Sequence, residues 1–428
     1  MNNKGTQALI KSDFAVLTSI LKNPKISVST TDIEGVKSLG LPFAAVSPSL
    51  IDIPHEIADD YAKRNIVVRN SLKYKVMAAS CLIKMPIQIL LVAFSTLMMK
   101  IGLKGVYRNN VLSNIKDADV VISCSDENFK ETASLFSLNF SWILVWWSML
   151  LSRTWDVLAA KFLCKKIILF PNSVGPFITP VGKIFSRLAL NSFSYILVRE
   201  SISFAIVDSF KILNKYKTSD AALLFPSVKG FSSSFSPISP SVGVCLGLYS
   251  NVLGEKEISK YISLCSRVLD AAVKKYGFSI VFLPHYVSGF RNDDKEISQL
   301  IAEKMIEKDR IKLVSASSVD EFKLLLSQMD MVISSKMHPA VLSTSAYVPT
   351  LVIAYDQKQT GYFEDLELSD CVLSIQDMSQ ANFFSKISHV WDNRVKIART
   401  LKTRVPILMK NVKEAIENAL CAVLEGGN

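Results

Sequence analysis

MVISSKMHPAVLSTSAYVPTLVIAYDQKQTG, residues 331–361, decides the fold class. Met331-Val332-Ile333 reads as a short apolar strand that stops at Ser334-Ser335-Lys336-Met337-His338. A helix of small residues follows, and Val348-Pro349 opens a second strand, Thr350-Leu351-Val352-Ile353-Ala354. Strand, helix and strand at this spacing make a βαβ unit, whose two strands lie parallel. Ligands of open α/β sheets sit beyond the carboxyl ends of the strands. Lys336 and His338 occupy that position, and the chain holds only four histidines.

The same alternation runs outward in both directions. Toward the amino terminus, Ile26-Ser27-Val28-Ser29, Asn65-Ile66-Val67-Val68, Asp119-Val120-Val121-Ile122, Lys166-Ile167-Ile168-Leu169-Phe170 and Tyr195-Ile196-Leu197-Val198 are strand candidates separated by helical patterns. Pro226 to Ser241, PSVKGFSSSFSPISPS, is rich in serine, proline and glycine and reads as a linker. Beyond it Val242-Gly243-Val244-Cys245-Leu246, Ser279-Ile280-Val281-Phe282-Leu283 and Ile311-Lys312-Leu313-Val314 lead up to the opening stretch. The expected architecture is α/β, with two Rossmann-like domains facing a cleft. Residues 1–227 make the N-terminal domain, with an apolar helical insert at about 75–105, and 228–241 the linker. Residues 242–390 make the C-terminal domain with its Lys-x-His motif, and 391–428 a helical segment. In that segment Ile407, Leu408, Val412, Ile416, Leu420 and Val423 mark an amphipathic helix over roughly Arg404 to Leu424. The chain enters a helix straight after Met1-Asn2-Asn3-Lys4-Gly5, so the strand expected ahead of it is missing. Either the true start lies upstream of Met1 or the domain does without that strand.

At 428 residues, two domains are the default expectation. A hydrophobic fraction of 49% against 20% charged residues excludes a disordered chain. The net charge of +11 suits anionic substrates or anionic lipid surfaces. Nucleic acid is not expected as a partner, because no aromatic RNA-binding signature, zinc-finger spacing or basic heptad helix is present. Seven scattered cysteines without a CxxC pair exclude a disulfide or zinc framework, and no metal site is expected. Reduced thiols and the lack of an apolar leader after Met1 make the cytoplasm the expected location.

Two apolar stretches, Met85 to Met99 and Phe140 to Leu151, are shorter than the ~20 residues of a membrane-spanning helix. They read equally as buried core helices or as elements in peripheral contact with an anionic membrane at its inner face, since lysines flank the first and tryptophans fill the second.

Six groups of polar residues recur at strand ends or helix starts. They are Asn3-Lys4-Gly5, Cys124-Ser125-Asp126-Glu127-Asn128, Asn172-Ser173-Val174-Gly175-Pro176, Arg199-Glu200 with Ser203, Pro284-His285 with Asp293 or Asp294, and Lys336-Met337-His338. Each has an ordinary structural explanation taken singly. A strand-end Arg-Glu before a helix is more often a cap with its ion pair, and a lone histidine is more often structural. Their order and spacing are more specific than any one of them.

Together these segments resemble the polysaccharide pyruvyl transferase family. Asn3-Lys4-Gly5-Thr6-Gln7-Ala8 is similar to the family's opening motif, and Asp126, Asn128 and Phe129 to its G-G-D-N-F segment. Asn172-Ser173-Val174-Gly175-Pro176-Phe177 is similar to its Q-S-x-G-P-F motif, and Arg199-Glu200 with Ser203 to its R-[DE]-x-x-S. Pro284-His285, then Lys336-Met337-His338-Pro339-Ala340, Val348-Pro349 and Tyr355-Asp356-Gln357-Lys358, resemble its closing elements. Cys124-Ser125 stands where the family has glycines, and Lys336 where it often has arginine.

The resemblance implies a GT-B-like fold and transfer of the pyruvyl group of phosphoenolpyruvate onto a sugar as a cyclic ketal. It implies phosphoenolpyruvate as donor substrate, no cofactor, and a surface polysaccharide or lipid-linked oligosaccharide as acceptor. Arg199, Lys336 and His338 are the residues it implies for holding the donor, with Asn3, Lys4, Ser173 and His285 as further substrate contacts. His338 as proton donor and Asp126 as acceptor of the hydroxyl proton complete the expected catalytic set. Two other readings stay open on the sequence. One is a GT-B-type nucleotide-sugar glycosyltransferase, and the other a non-catalytic homologue acting as a scaffold in polysaccharide synthesis.

Overall fold

The computed structural model describes residues 3–51, 72–103, 110–131, 140–226, 235, 237–238, 240–248, 255–287 and 293–425. Two compact units divide the chain: Val16–Thr218 with Lys413–Asn428, and Asn2–Ala15 with Ser219–Val412. The boundary falls inside the first helix, α1 (Lys4–Ile20). The opening segment thus belongs to the second unit, where Ala8 and Leu9 join the core, and not to the head of the first domain as the sequence suggests.

In the first unit, β1 (Ser27–Thr30) and β2 (Ala45–Pro48) pair in parallel around α2 (Ile33–Lys37). There follow α3 (Leu72–Lys100), α4 (Asn110–Asp117), β3 (Val120–Ser123), β4 (Asp126–Phe129), α5 (Phe140–Phe162) and β5 (Lys166–Val174). After these come α6 (Pro180–Leu190), β6 (Tyr195–Val198), α7 (Ser201–Ser209) and β7 (Lys215–Lys217). The main sheet runs β3-β5-β6-β7, all parallel, and β4 also pairs with β5. β3 lies opposite the first half of β5 and β4 opposite its second half, Asp126 facing Asn172. β4, β2 and β7 are not expected from the sequence, because polar stretches such as Asp-Glu-Asn-Phe carry no apolar run. β4 is held by the ladder of its neighbour. The expected strand at Asn65–Val68 lies outside the described residues.

The second unit continues with β8 (Ser241–Cys245), α8 (Glu255–Tyr276), β9 (Ser279–Phe282), α9 (Asp294–Lys304), β10 (Ile311–Leu313) and α10 (Val319–Ser327). Then come β11 (Met331–Ser334), α11 (Met337–Ser345), β12 (Thr350–Ala354), α12 (Gln357–Asp365), β13 (Val372–Ser374), α13 (Gln380–Asp392) and α14 (Arg394–Glu425), whose part from Lys413 onward belongs to the first unit. Its sheet order is β10-β9-β8-β11-β12-β13, parallel throughout. β8, β9, β11 and β12 are buried along their whole length, as expected of strands covered by helices on both faces. Each large apolar side chain so buried contributes about 1.5–3 kcal/mol. The chain builds outward from β8 in one direction, then returns to add β11 on its other side. Connections leaving β8 and β11 in opposite directions open a crevice at their carboxyl ends. α14 starts ten residues before the expected Arg404: Ile397 and Leu401 extend the buried face upstream through a stretch whose charges hide it.

Candidate functional site

The crevice between β8 and β11 is where the Lys336-x-His338 motif lies. Ser334 ends β11, and its hydroxyl accepts from Lys336 N at 2.9 Å and donates to Lys336 O at 2.8 Å, which fixes the turn. The Lys336 ammonium then reaches toward the loop after β8, donating to the Leu248 carbonyl at 3.2 Å with Asp294 Oδ1 at 3.4 Å. Ser335 ties the same two loops, accepting from Gly247 N at 3.0 Å and donating to its carbonyl at 3.1 Å. A Cβ on Gly247 would sit 2.1 Å from Asp294 Oδ1 and 2.6 Å from Lys336 Cε, so a larger residue there would displace this ion pair. Gln359, fully buried, donates to the Ser335 carbonyl at 3.2 Å and accepts from Tyr355 N and Asp356 N, locking the β12–α12 turn beside the motif.

The sequence leaves open which of two aspartates faces the motif. Asp293 caps α9 through Lys295 N and Glu296 N. Asp294 is the one that pairs with Lys336, and its other oxygen accepts from Tyr286 N at 2.9 Å.

Asn3, Lys4 and His285 join this cluster. Asn3 bridges Tyr286 through the backbone, and its side chain accepts from Gly5 N at 2.9 Å to start α1. The first turn of α1 rests on His338: a Cβ on Gly5 would lie 2.1 Å from His338 Nδ1. Lys4 is 6% exposed, with its ammonium 5.9 Å from the Phe322 ring centroid. Burial holds its pKa below the usual lysine value, opposed by Asp294 and Glu321. The His285 ring stacks 6.2 Å from that of His338 and lies 5.8 Å from Phe322. Both its ring nitrogens are buried without a hydrogen-bond partner among the described residues. Three cationic or titratable groups and one carboxylate thus crowd around an imidazole that lacks hydrogen bonds.

Burial, then His338, Lys336 and Lys4, push the His285 pKa well below 6.5. The sign follows from linkage: below pH 6.5 the unfolded chain takes up a proton at His285 that the folded chain refuses, so stability falls as pH falls. The loss should approach about 1.4 kcal/mol per pH unit below that point. Urea unfolding of the wild type and His285→Gln between neutrality and the carboxylate range checks this. The wild type should show the slope, and the variant should lose it.

In the first unit a second cluster forms around Arg199, which is 2% exposed at the end of β6. Its Nε donates to Ser173 Oγ at 2.7 Å, and Ser173 Oγ donates to Glu200 Oε2 at 3.1 Å. Glu127 Oε1 lies 3.5 Å from Arg199 Nη2, and its carboxylate also pairs with Lys130. Glu200 occupies the N-cap position of α7 but does not cap it. Its carboxylate instead accepts from Ser203 and Ser173. Asp126 is half-buried opposite Asn172 and acts on the half-buried Arg153, whose pKa desolvation lowers and Asp126 and Asp156 raise. Arg153 Nη1 donates to the Asn128 carbonyl at 2.8 Å.

The eight expected site residues therefore fall into two groups. Asn3, Lys4, His285, Lys336 and His338 come together in the second unit, and Asp126, Ser173 and Arg199 belong to the first. Sequence reasoning missed Gly247, Gln359 and Arg153 as parts of these clusters. A glycine just past the first strand of a Rossmann-like unit was the one available signal.

Comparison with known proteins extends these observations. The family model described as polysaccharide pyruvyl transferase matches residues 44–357. The amylovoran biosynthesis protein AmsJ of Erwinia amylovora is 22% identical over 149 residues, or 34% of this chain and 36% of that protein. The chain thus spans about a third of the length of that relative. Among solved structures, UDP-GlcNAc 2-epimerase from Neisseria meningitidis bound to UDP-GlcNAc superposes with a TM-score of 0.56 at 12% identity, covering 98% of this chain and 97% of that one. The UDP co-structure of S. aureus MnaA gives 0.60 at 10% identity, with 99% and 95% covered. At such identities the likeness establishes a GT-B-type α/β fold and says nothing of substrate.

Proposed function

The chain belongs to the polysaccharide pyruvyl transferase family, and from that membership we propose that it moves the pyruvyl group of phosphoenolpyruvate onto a sugar of a surface polysaccharide or its lipid-linked precursor. Membership itself makes it a transferase of polysaccharide modification. The observation that supports the finer reading is the convergence of Lys4, Lys336, His285 and His338 at the carboxyl end of the second sheet. Phosphoenolpyruvate carries a carboxylate and a phosphate on one carbon, and such a compact polyanion matches two ammonium groups beside imidazoles. A lysine supplies a point charge suited to phosphate. Lys336 has Asp294 as its protein counter-ion at 3.4 Å, and a phosphate would compete for the same ammonium.

The chemistry balances without any redox partner. His338 gives a proton to the methylene carbon, and the neighbouring carbon becomes electrophilic. One sugar hydroxyl attacks there, a second closes the ring, and the carbon–oxygen bond to phosphate breaks. Of the two hydroxyl protons, one balances that placed in the new methyl group and the other leaves with phosphate.

The test is incubation with phosphoenolpyruvate labelled in the pyruvyl carbons and a lipid-linked oligosaccharide acceptor. Acid-labile label in the acceptor with equimolar phosphate release is the expected result. Transfer from labelled nucleotide sugars instead would establish the glycosyltransferase alternative. Absence of phosphoenolpyruvate binding by calorimetry would leave the scaffold reading.

A further inference from the structure

A helix that is apolar around its whole circumference normally lies inside a core. α3 does not. Met85 and Val92 are buried against Leu50, Ile51, Leu112 and Ala159, with Ile89 and Met99 packed beside them. The opposite face, Ile87, Leu90, Leu91, Phe94 and Leu97, recurs at the same helical spacing and is open. Leu90 is 68% exposed and Phe94 48%, and Ile101, just past the helix, is 59% exposed. Lys84 and Lys100, both exposed, bracket this stripe, and the Lys100 ammonium lies 4.4 Å from the ring centroid of Phe162, which is itself exposed.

Along the sequence, the net charge of the chain is concentrated in the segment that contains this helix. Residues 61–116 hold ten of the 49 Lys and Arg, from Lys63 to Lys116, and none of the 38 Asp and Glu. That leaves 39 basic against 38 acidic residues for the rest, so this segment supplies nearly all of the net +11. Among the described residues no helix is long and apolar enough to cross a membrane.

We propose that the outward face of α3, with Lys84 and Lys100 at its two ends, seats the protein on a membrane leaflet that carries anionic lipids. Apolar side chains bracketed by lysines, in a stretch of sequence without acids, are what an element lying in the membrane interface needs. A second copy of the chain fits less well. A two-fold interface sets a surface against itself, and here it would bring two strongly basic segments together. The proposal goes beyond the donor chemistry and does not depend on it.

Flotation of the full chain with phosphatidylcholine vesicles, with and without phosphatidylglycerol, tests this in the absence of phosphoenolpyruvate. Binding should need phosphatidylglycerol and weaken as salt is raised. The paired substitutions Lys84→Glu with Lys100→Glu, and Leu90→Gln with Phe94→Gln, should each lower vesicle partitioning on the order of tenfold. All four side chains are exposed, so thermal unfolding should be unchanged. Equal partitioning with and without phosphatidylglycerol would overturn the proposal without recourse to any variant. So would a dimer, seen by light scattering, that the Leu90→Gln and Phe94→Gln pair dissolves.

Discussion

Replacing His338 with alanine should lower turnover with phosphoenolpyruvate on the order of a hundredfold to ten-thousandfold, the usual contribution of a positioned proton donor. The expectation rests on where the imidazole is held. α11 begins straight after the carboxyl end of β11, so its second residue projects from the first turn. The opening turn of α1 presses on one side of the ring, through a glycine that leaves no room for a Cβ. The His285 ring stacks on it at 6.2 Å. A side chain so confined has few rotamers open to it, as a general acid needs. His285 does not offer the same chemistry, because burial and its cationic neighbours keep it neutral.

Steady-state kinetics separate this role from mere binding. His338→Ala should lower kcat while the dissociation constant for phosphoenolpyruvate, measured by calorimetry, changes little. Lys336→Met should do the reverse, weakening binding by losing a charge-assisted contact of about 1.5–3 kcal/mol. Circular dichroism of both variants guards against a collapsed crevice. If His338→Ala turns over normally, the proton comes from elsewhere and the assignment fails.

The second unit was largely legible in the sequence for a simple physical reason. Strands covered on both faces must be apolar throughout, so Val242–Leu246, Ile280–Leu283, Met331–Ile333 and Leu351–Ala354 stand out against polar turns. The polar residues that end those runs include Lys336, His338 and His285, which the structure brings into one cluster. Other features depend on contacts that no local pattern encodes. β4 is polar and exists because β5 offers it a ladder. Asp293 and Asp294 look alike until one caps α9 and the other meets Lys336. The apolar residues of α3 signal burial equally on both faces, and only packing reveals that one face is left open.

Arg199→Met should cost the protein about 3–5 kcal/mol of stability, the usual penalty for removing one partner of a buried ion pair. The family resemblance assigns Arg199 a substrate contact, but the structure surrounds it with protein. Its side chain is 1% exposed, and Ser173, Glu127 and Glu200 all lie within reach of its guanidinium. Ser173 is spoken for as well, accepting from Arg199 and donating to Glu200. Without the guanidinium, Glu200 stays buried and loses its neighbouring cation, keeping the Ser173 and Ser203 hydroxyls as donors. Glu127 is less affected, since Lys130 still pairs with it. Adding Glu200→Gln to Arg199→Met should therefore restore part of the loss, because the uncompensated charge carries most of the cost. Arg199→Lys should fall between, keeping the charge but losing the planar fork. Urea unfolding gives all three values. A loss below about 1 kcal/mol for Arg199→Met, with no recovery in the double variant, would refute the structural role. In that case a weaker phosphoenolpyruvate affinity in a stable Arg199→Lys protein would mark the arginine as a substrate contact. The two outcomes differ because a buried network resists unfolding in the absence of ligand, whereas a binding residue reveals itself only when the donor is present.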